Sequence, residues 1–485
     1  MTHSLAVRAS SLASRLPTSL VLLSSILLVA CSDDDPDTLP LNISNELQGV
    51  WERSGYGSFL QVENSRLSVY EATRATCHLR DSGAAADFIA AFPEVHVDDD
   101  LLQLGESALD VPMLFNRVDA LPAVCEEPID SSAAEMFDHV WHSFNDHYAF
   151  FNERGVDWLA QYDLWRPTLG EQSTQGELEA ALIGLLSPID DTHVSLTVDG
   201  GSVFNPAEFK GFFQDLIDEF ESQDVIADEA SYISTVIGQW RQDLQGNYIG
   251  EAFSTTDDNH PGLLEWGVLG DSVGYLRIAQ LYTDFESTGD EQLSVFDSVL
   301  DVALTELAET SGLIIDVRLT PGGRDAVSLA VANRFADTER AVVSKAARDY
   351  QGLGAIQTLT ISPSEHLNYQ NPVVLITSGF SASATEVLTL LLRSLPQVTH
   401  LGESTNGALS DVLERGLPNG WEFTLSNEVY LDASGQSFEA VGIPPEVVVP
   451  VLDKAARDRG EDSAINAAFD VLGLPSPYNA FSPEG

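Results

Sequence analysis

Three stretches of the chain combine residue types that could make and break an acyl bond. The first is PVVLITSGFSASATE, residues 372–386. Pro372 to Thr377 is a short apolar, β-branched run of the kind that forms a buried strand, and Ser378 and Gly379 break it. Small residues from Ser381 then lead into Glu386-Val387-Leu388-Thr389-Leu390, which reads as a buried helix. A hydroxyl at such a junction faces the unpaired N–H groups and positive end of the helix, which suits nucleophilic attack with a developing anion. A plain N-cap serine in a Ser/Ala-rich turn is the alternative. The second stretch is the glycine pair Gly322-Gly323 in RLTPGGR, following the buried run ending at Val317. Adjacent strands would bring these amides toward the Ser383 region, and two N–H groups aimed at one point make an oxyanion hole. The third is Asp190-Asp191-Thr192-His193, where a histidine sits in a tight acidic turn between a helix and a strand. It is better placed than the other nine to serve as a general base, although a structural histidine is the competing reading. His139, His142 and His147, beside Asp138 and Asp146, raise a metal site. Their spacing and the intervening aromatic residues favour a packed amphipathic helix.

The elements that must position these groups read as follows. Residues 46–125 alternate apolar and polar residues between Gly, Asn and Ser turns, as a small accessory β-domain would. Residues 133–203 form a helical region ending in the histidine turn, with a capping box predicted at Thr174 and Glu177. Residues 204–267 read as an insertion, with Asn205 capping a helix opened by Pro206 and an apolar stripe Phe209, Phe212, Phe213, Leu216, Ile217 and Phe220. That stripe suits core packing, with a lid as the functional alternative. Residues 268–453 alternate strands and helices as an α/β core, Trp421 to Glu439 reading as a hairpin pair. The segment 454–485 reads as a tail with one helix.

Charge and cysteines bound the setting. Seventy-five acidic residues against 23 basic ones give a formal charge of −52, which argues against nucleic acid or anionic lipid surfaces as partners. Residues 1–30 read as a targeting segment, with Arg8 and Arg15 before an apolar run too short to span a bilayer. Leu28-Val29-Ala30-Cys31 resembles a bacterial lipobox, which implies lipid attachment at Cys31 and, with Ser32 following, a place at the outer membrane facing the periplasm; residues 31–45 would be a tether. Cys77 and Cys125 remain as an even pair for a disulfide in an oxidising compartment.

LIIDVRLTPGG, VVLITSGFSASATE, LGESTNGA and FEAVGIPPEVVV occur in the order and spacing of the tail-specific (C-terminal processing) serine peptidases and their tricorn relatives. The resemblance covers roughly residues 265–453, and about 133–196 resembles the segment preceding that core in the tricorn-like branch. It implies a crotonase-like catalytic core within an α/β fold, Ser383 as nucleophile with Ser381 as fallback, and an oxyanion hole from Gly322 or Gly323 with Ala384. The processing branch uses a lysine base where this chain has Ala408, so the tricorn-like assignment applies: His193 as base, with Thr192 and Glu439 positioning it. Glu446 and Thr320 replace the family's usual aspartate and asparagine, and no PDZ-like segment is found. The implied activity is a serine endopeptidase acting on peptides or unfolded proteins, with no metal or cofactor. A non-catalytic binder of an apolar ligand or peptide on the same fold, or an esterase, is the alternative.

Overall fold

The computed structural model describes residues 46–478 except 209, 223–227, 250–252, 257–259 and 285–286. The leader, Cys31, the tether and Phe209 lie outside the described residues.

The strands Gly312–Asp316 and Val373–Thr377 are buried at every position. A strand buried on both faces needs cover on both, which is how parallel sheets are built. Here they are the centre of a seven-stranded sheet. Its order runs Ser254–Thr255, Leu264–Leu269, Val273–Ile278, Gly312–Asp316, Val373–Thr377, Val398–Gly402, Val447–Val448. Pairing is parallel from Val273–Ile278 onward and antiparallel before it. Alternation divides the side chains between two cores. Leu313, Ile315 and Leu375 join Phe296, Leu300, Val327, Leu388 and Leu391 on one face. Ile314, Val374 and Ile376 join Phe213, Ile465 and Phe469 on the other. The architecture is therefore mixed α/β, with helices on both faces of a largely parallel sheet.

The four-stranded sheet Val412–Gly416, Glu422–Ser426, Ser195–Val198, Ser202–Phe204 matters most for the site. Strands more than 200 residues apart in the sequence pair in it, with Thr424 opposite Ser195 and Phe423 opposite Leu196. Its apolar face packs on the helices Ala133–His147 and Gln175–Leu186 through Phe137, Phe144, Leu182, Leu185 and Phe423. The predicted capping box at Thr174 and Glu177 forms. A third sheet joins Arg340–Asp349 to Gln357–Ile361 and Glu428–Asp432. The residues 49–118 make a seven-stranded antiparallel sheet of their own, and Cys77 is disulfide-bonded to Cys125.

Several expectations change. Glu422–Ser426 and Glu428–Asp432 do not pair as a hairpin: the chain switches sheets at Asn427, one strand joining the histidine-bearing sheet and the other Arg340–Asp349. The helix expected from Pro206 begins only at Phe212, because Asn205 spends its side chain on the Ala207 amide in a local turn and Gly211 adopts φ 58°. The segment after Asp453 is not one helix and a loose end: Lys454–Arg457 and Ser463–Leu472 are both helical, and Ile465 and Phe469 pack beneath the sheet. Asp462 there neutralises the fully buried Arg318, which Asp316 also holds. That pairing anchors the end of the strand from which the glycine loop departs.

Candidate active site

Ser383 occupies the N-cap position of the helix Ala384–Arg393 and yet does not cap it. Its backbone sits at φ 56°, ψ −131°, a conformation L residues rarely adopt, and its side chain bonds no helical amide. A serine cap ordinarily stabilises a helix by about 1 kcal/mol, and a non-glycine residue at such angles costs about 1–3 kcal/mol. Both sacrifices leave Oγ without a hydrogen bond among the described residues, at the positive end of the helix. Ser381, by contrast, is fully buried and committed: its Oγ donates to Val317 O at 2.8 Å and accepts the Ser378 amide at 3.0 Å.

The glycine pair lies against Ser383. A Cβ on Gly322 (φ 129°) would stand 2.7 Å from Ser383 Cβ and 3.3 Å from its Oγ, and one on Gly323 (φ 151°) 2.2 Å from Leu281 O. Only glycine allows this approach. Leu281 N–H donates to Gly322 O and Arg324 N–H to Leu281 O, which fixes the loop, while the Gly322 and Gly323 amides take no acceptor among the described residues. Ala384, first in its helix, has no intrahelical acceptor for its N–H. These amides are the donors an oxyanion would meet.

A strap at residues 405–410 joins the parts. Ser383 N–H donates to Ala408 O at 2.9 Å, and Asn406 N–H to Ser381 O at 2.9 Å. Beneath the strap lies the wholly buried Glu386, which accepts from Thr405 Oγ1 (2.6 Å), Gly407 N–H (2.8 Å) and Ala408 N–H (2.8 Å). Burial pushes its carboxyl up to about 7 against those hydrogen bonds. On the other side Thr192 Oγ1 donates to Asn406 Oδ1 at 3.0 Å, so the histidine turn is tied to the same strap. Lys210 also bridges them, donating to Asn406 O at 3.1 Å and lying 3.5 Å from Asp190.

His193 is buried, with Nδ1 unpartnered, and no hydrogen bond joins it to Ser383 Oγ among the described residues. Burial lowers its pKa and Arg154 adds to that, while Asp191 and Asp411 oppose. The ring is thus neutral at pH 7 and able to accept a proton. Its backbone is held at both ends: N–H donates to Asp191 Oδ1 at 2.9 Å and C=O accepts from Thr424 Oγ1 at 2.6 Å.

Glu439 does not reach the His193 ring. Oε2 accepts the Leu409 and Ser410 amides at 2.8 and 3.0 Å, and Oε1 pairs with Arg154 at 2.8 Å. Arg154 Nε lies 3.3 Å from Asp191, which also accepts from Tyr148 at 2.8 Å. Glu439 connects to the histidine backbone through Arg154 and Asp191, because a nearly buried cation lies between the two acids. Thr192 likewise faces the strap rather than the ring. Burial, then the nearby Asp191 charge, raises the Glu439 carboxyl to about 8, whereas Asp191 is held below its ordinary value by Arg154 and His193 against its own burial. Arg154, Asp191, Tyr148, Asn406 and Glu386 were not singled out from the sequence. An arginine beside an aromatic run, in a chain with so few cations, was the available signal for Arg154.

Of the residues raised as metal ligands, His139 and Asp146 have partners of other kinds. His139 Nδ1 meets Thr76 Oγ1 at 2.9 Å and Asp146 binds Arg74. No group of three or more potential ligands forms a metal cluster among the described residues.

A strained serine at a strand-to-helix turn, a glycine loop against it and a buried histidine turn are thus all tied to the strap at 405–410 or to one another. Residues 272–449 match Peptidase family S41 and residues 130–182 match the Tricorn protease C1 domain. The chain is 26% identical over 188 residues to a carboxy-terminal-processing protease of Bartonella bacilliformis, a match covering 38% of this chain and 40% of that relative. A crystal structure from Parabacteroides merdae is similar at 24% identity with a TM-score of 0.54, covering 71% of this chain and 97% of the other. That likeness establishes a shared fold.

Proposed function

We propose that this chain is a serine endopeptidase of the bacterial cell envelope, with a crotonase-like core and a lipid anchor at Cys31. The observation that carries the reading is the uncapped Ser383 at φ 56°, packed so closely on Gly322 that only a glycine fits there. Ser383 Oγ attacks the peptide carbonyl as His193 takes its proton, and the Gly322 or Gly323 and Ala384 amides receive the oxyanion. His193 then returns the proton to the leaving amine, and water repeats the cycle on the acyl-enzyme. Thr192 and the Glu439–Arg154–Asp191 relay position the histidine turn. Substrates are peptides or unfolded proteins. A fluorophosphonate probe is expected to label the wild-type protein and not Ser383→Ala; equal labelling of both rejects the assignment.

The anchor rests on Leu28-Val29-Ala30-Cys31 and on the disulfide, which suits an oxidising compartment. Cells fed an alkyne-tagged fatty acid should yield tagged wild-type protein and untagged Cys31→Ala. Tag retained in the variant would rule out lipidation at that residue.

A further inference from the structure

Both residues that follow the glycine pair are gripped by the N-terminal sheet. Arg324, nearly buried, reaches Glu106 and, at 3.2 Å, Asp110, two acids in the turn between the strands Leu101–Gly105 and Met113–Val118. That turn is itself fixed, for Ser107 Oγ donates to Asp110 at 2.7 Å and the Ala108 amide to Asp290 at 3.3 Å. Asp325 is held from the other side by a longer route. Tyr430 donates to it at 2.8 Å, and Lys345 donates to Tyr430 at 3.0 Å while pairing with Glu428 at 2.9 Å. Glu428 in turn accepts from Tyr56, in the turn between the first two strands of the N-terminal sheet.

Nothing in the reaction as described above uses this network. Lys345 is not a disguised general base: against the cost of its burial, Glu428, Asp325 and Asp411 hold its ammonium firmly protonated. A buried ion cluster of this kind tends to fix geometry more than it adds stability. The geometry it fixes is that of the two residues immediately following Gly322 and Gly323, the first of which also donates its amide to Leu281 O. Oxyanion donors act only when aimed at the position where negative charge develops.

Resting on the peptidase reading, we propose that the N-terminal sheet is a positioning part of the active site, with Glu106 and Asp110 acting through Arg324, and Tyr56 acting through Glu428, Lys345 and Tyr430, to aim the oxyanion amides. The full-length protein carrying Glu106→Gln with Asp110→Asn keeps the shape of both side chains and removes their charge. Tyr56→Phe removes a single hydroxyl at the other end of the network, and serves if the double variant folds poorly. Rates are expressed per fluorophosphonate-titrated site, so that only folded, competent protein is counted. Each variant is expected to lose about 10-fold in kcat with KM within about twofold, a fraction of the 10²–10³ that loss of a whole oxyanion donor costs. Affinity for a peptide aldehyde, whose adduct with the serine carries the oxyanion, should fall in step with kcat. Unchanged kcat and aldehyde affinity in both variants would overturn the inference, as would a KM effect without a kcat effect. A wild-type protein that the probe does not label would instead remove the peptidase reading, and this inference with it.

Discussion

Ser383→Ala and His193→Ala should each lower kcat for a peptide substrate by on the order of 10⁶-fold, and the double variant should be no worse than either. Nucleophile and base share one proton transfer, so losing either forfeits the same step. What survives is the rate supported by the amides of the glycine loop and Ala384, about 10³–10⁴ above water. The two side chains are 190 positions apart in the sequence, and both segments are tied to the strap at 405–410, Ser383 through its amide and the histidine turn through Thr192. Additive losses in the double variant would show that the two act in separate steps. Retention of more than about a tenth of the rate in either would remove it from the reaction.

The same histidine carries a pH expectation. Burial, reinforced by Arg154, lowers its pKa below 6.5. The ring C–H resonances of His193 should therefore titrate with a midpoint under 6.5. The unfolded chain takes up this proton first as the pH falls through 6.5, so this group's share of folding stability declines below that pH and not above it. A midpoint above 6.5 would contradict the burial-dominated environment.

The legible parts of the sequence were those in which local pattern and chemistry coincide. Val373–Thr377 could be read as a buried strand because its apolar run is unbroken, and the Thr174–Glu177 capping box because both its halves lie within one turn. The glycine pair likewise advertises tight backbone, whereas Ser383 stood out from its neighbouring serines only through the family resemblance. What did not show was whatever depends on a distant partner. Asn427 does not look like a point where a chain changes sheets, since both flanking strands have ordinary alternation; their partners decide it. Asp462 reads as a polar residue near the end of the chain, and only the buried Arg318 gives it a reason. Glu439 was assigned a part in positioning His193 because of its place in the run that resembles the tricorn-like branch. Arg154 takes it because a nearly buried guanidinium needs acceptors for its N–H groups, and Asp191 and Glu439 both lie within reach.

That guanidinium offers the sharpest test of what holds the histidine turn in place. Arg154→Met removes the one cation between two buried acids and leaves Asp191 and Glu439 facing each other across an apolar side chain. Breaking a buried pair from one side typically costs about 3–5 kcal/mol. The pH dependence should invert as well. With Arg154 present, Asp191 is held below its ordinary value, so its share of stability is lost as the pH falls through that low range. Glu439 already runs the other way: raised from 4.5 to about 8, its ionisation costs stability across that window. Without Arg154 both carboxyls should lie above their unfolded values. The native state then binds more protons than the unfolded chain, and stability should drop steadily as the pH rises from about 4 toward 8. Urea unfolding at pH 5 and pH 8 measures this directly. The expected loss relative to wild type is small at pH 5 and about 3–5 kcal/mol at pH 8. The Asp191 carboxylate that fixes the His193 amide would be protonated over much of this range, so the per-site kcat should fall even where the variant remains folded. A penalty that is the same at both pH values, or below about 1 kcal/mol at pH 8, would mean that water reaches these acids and that the relay does not hold the histidine turn.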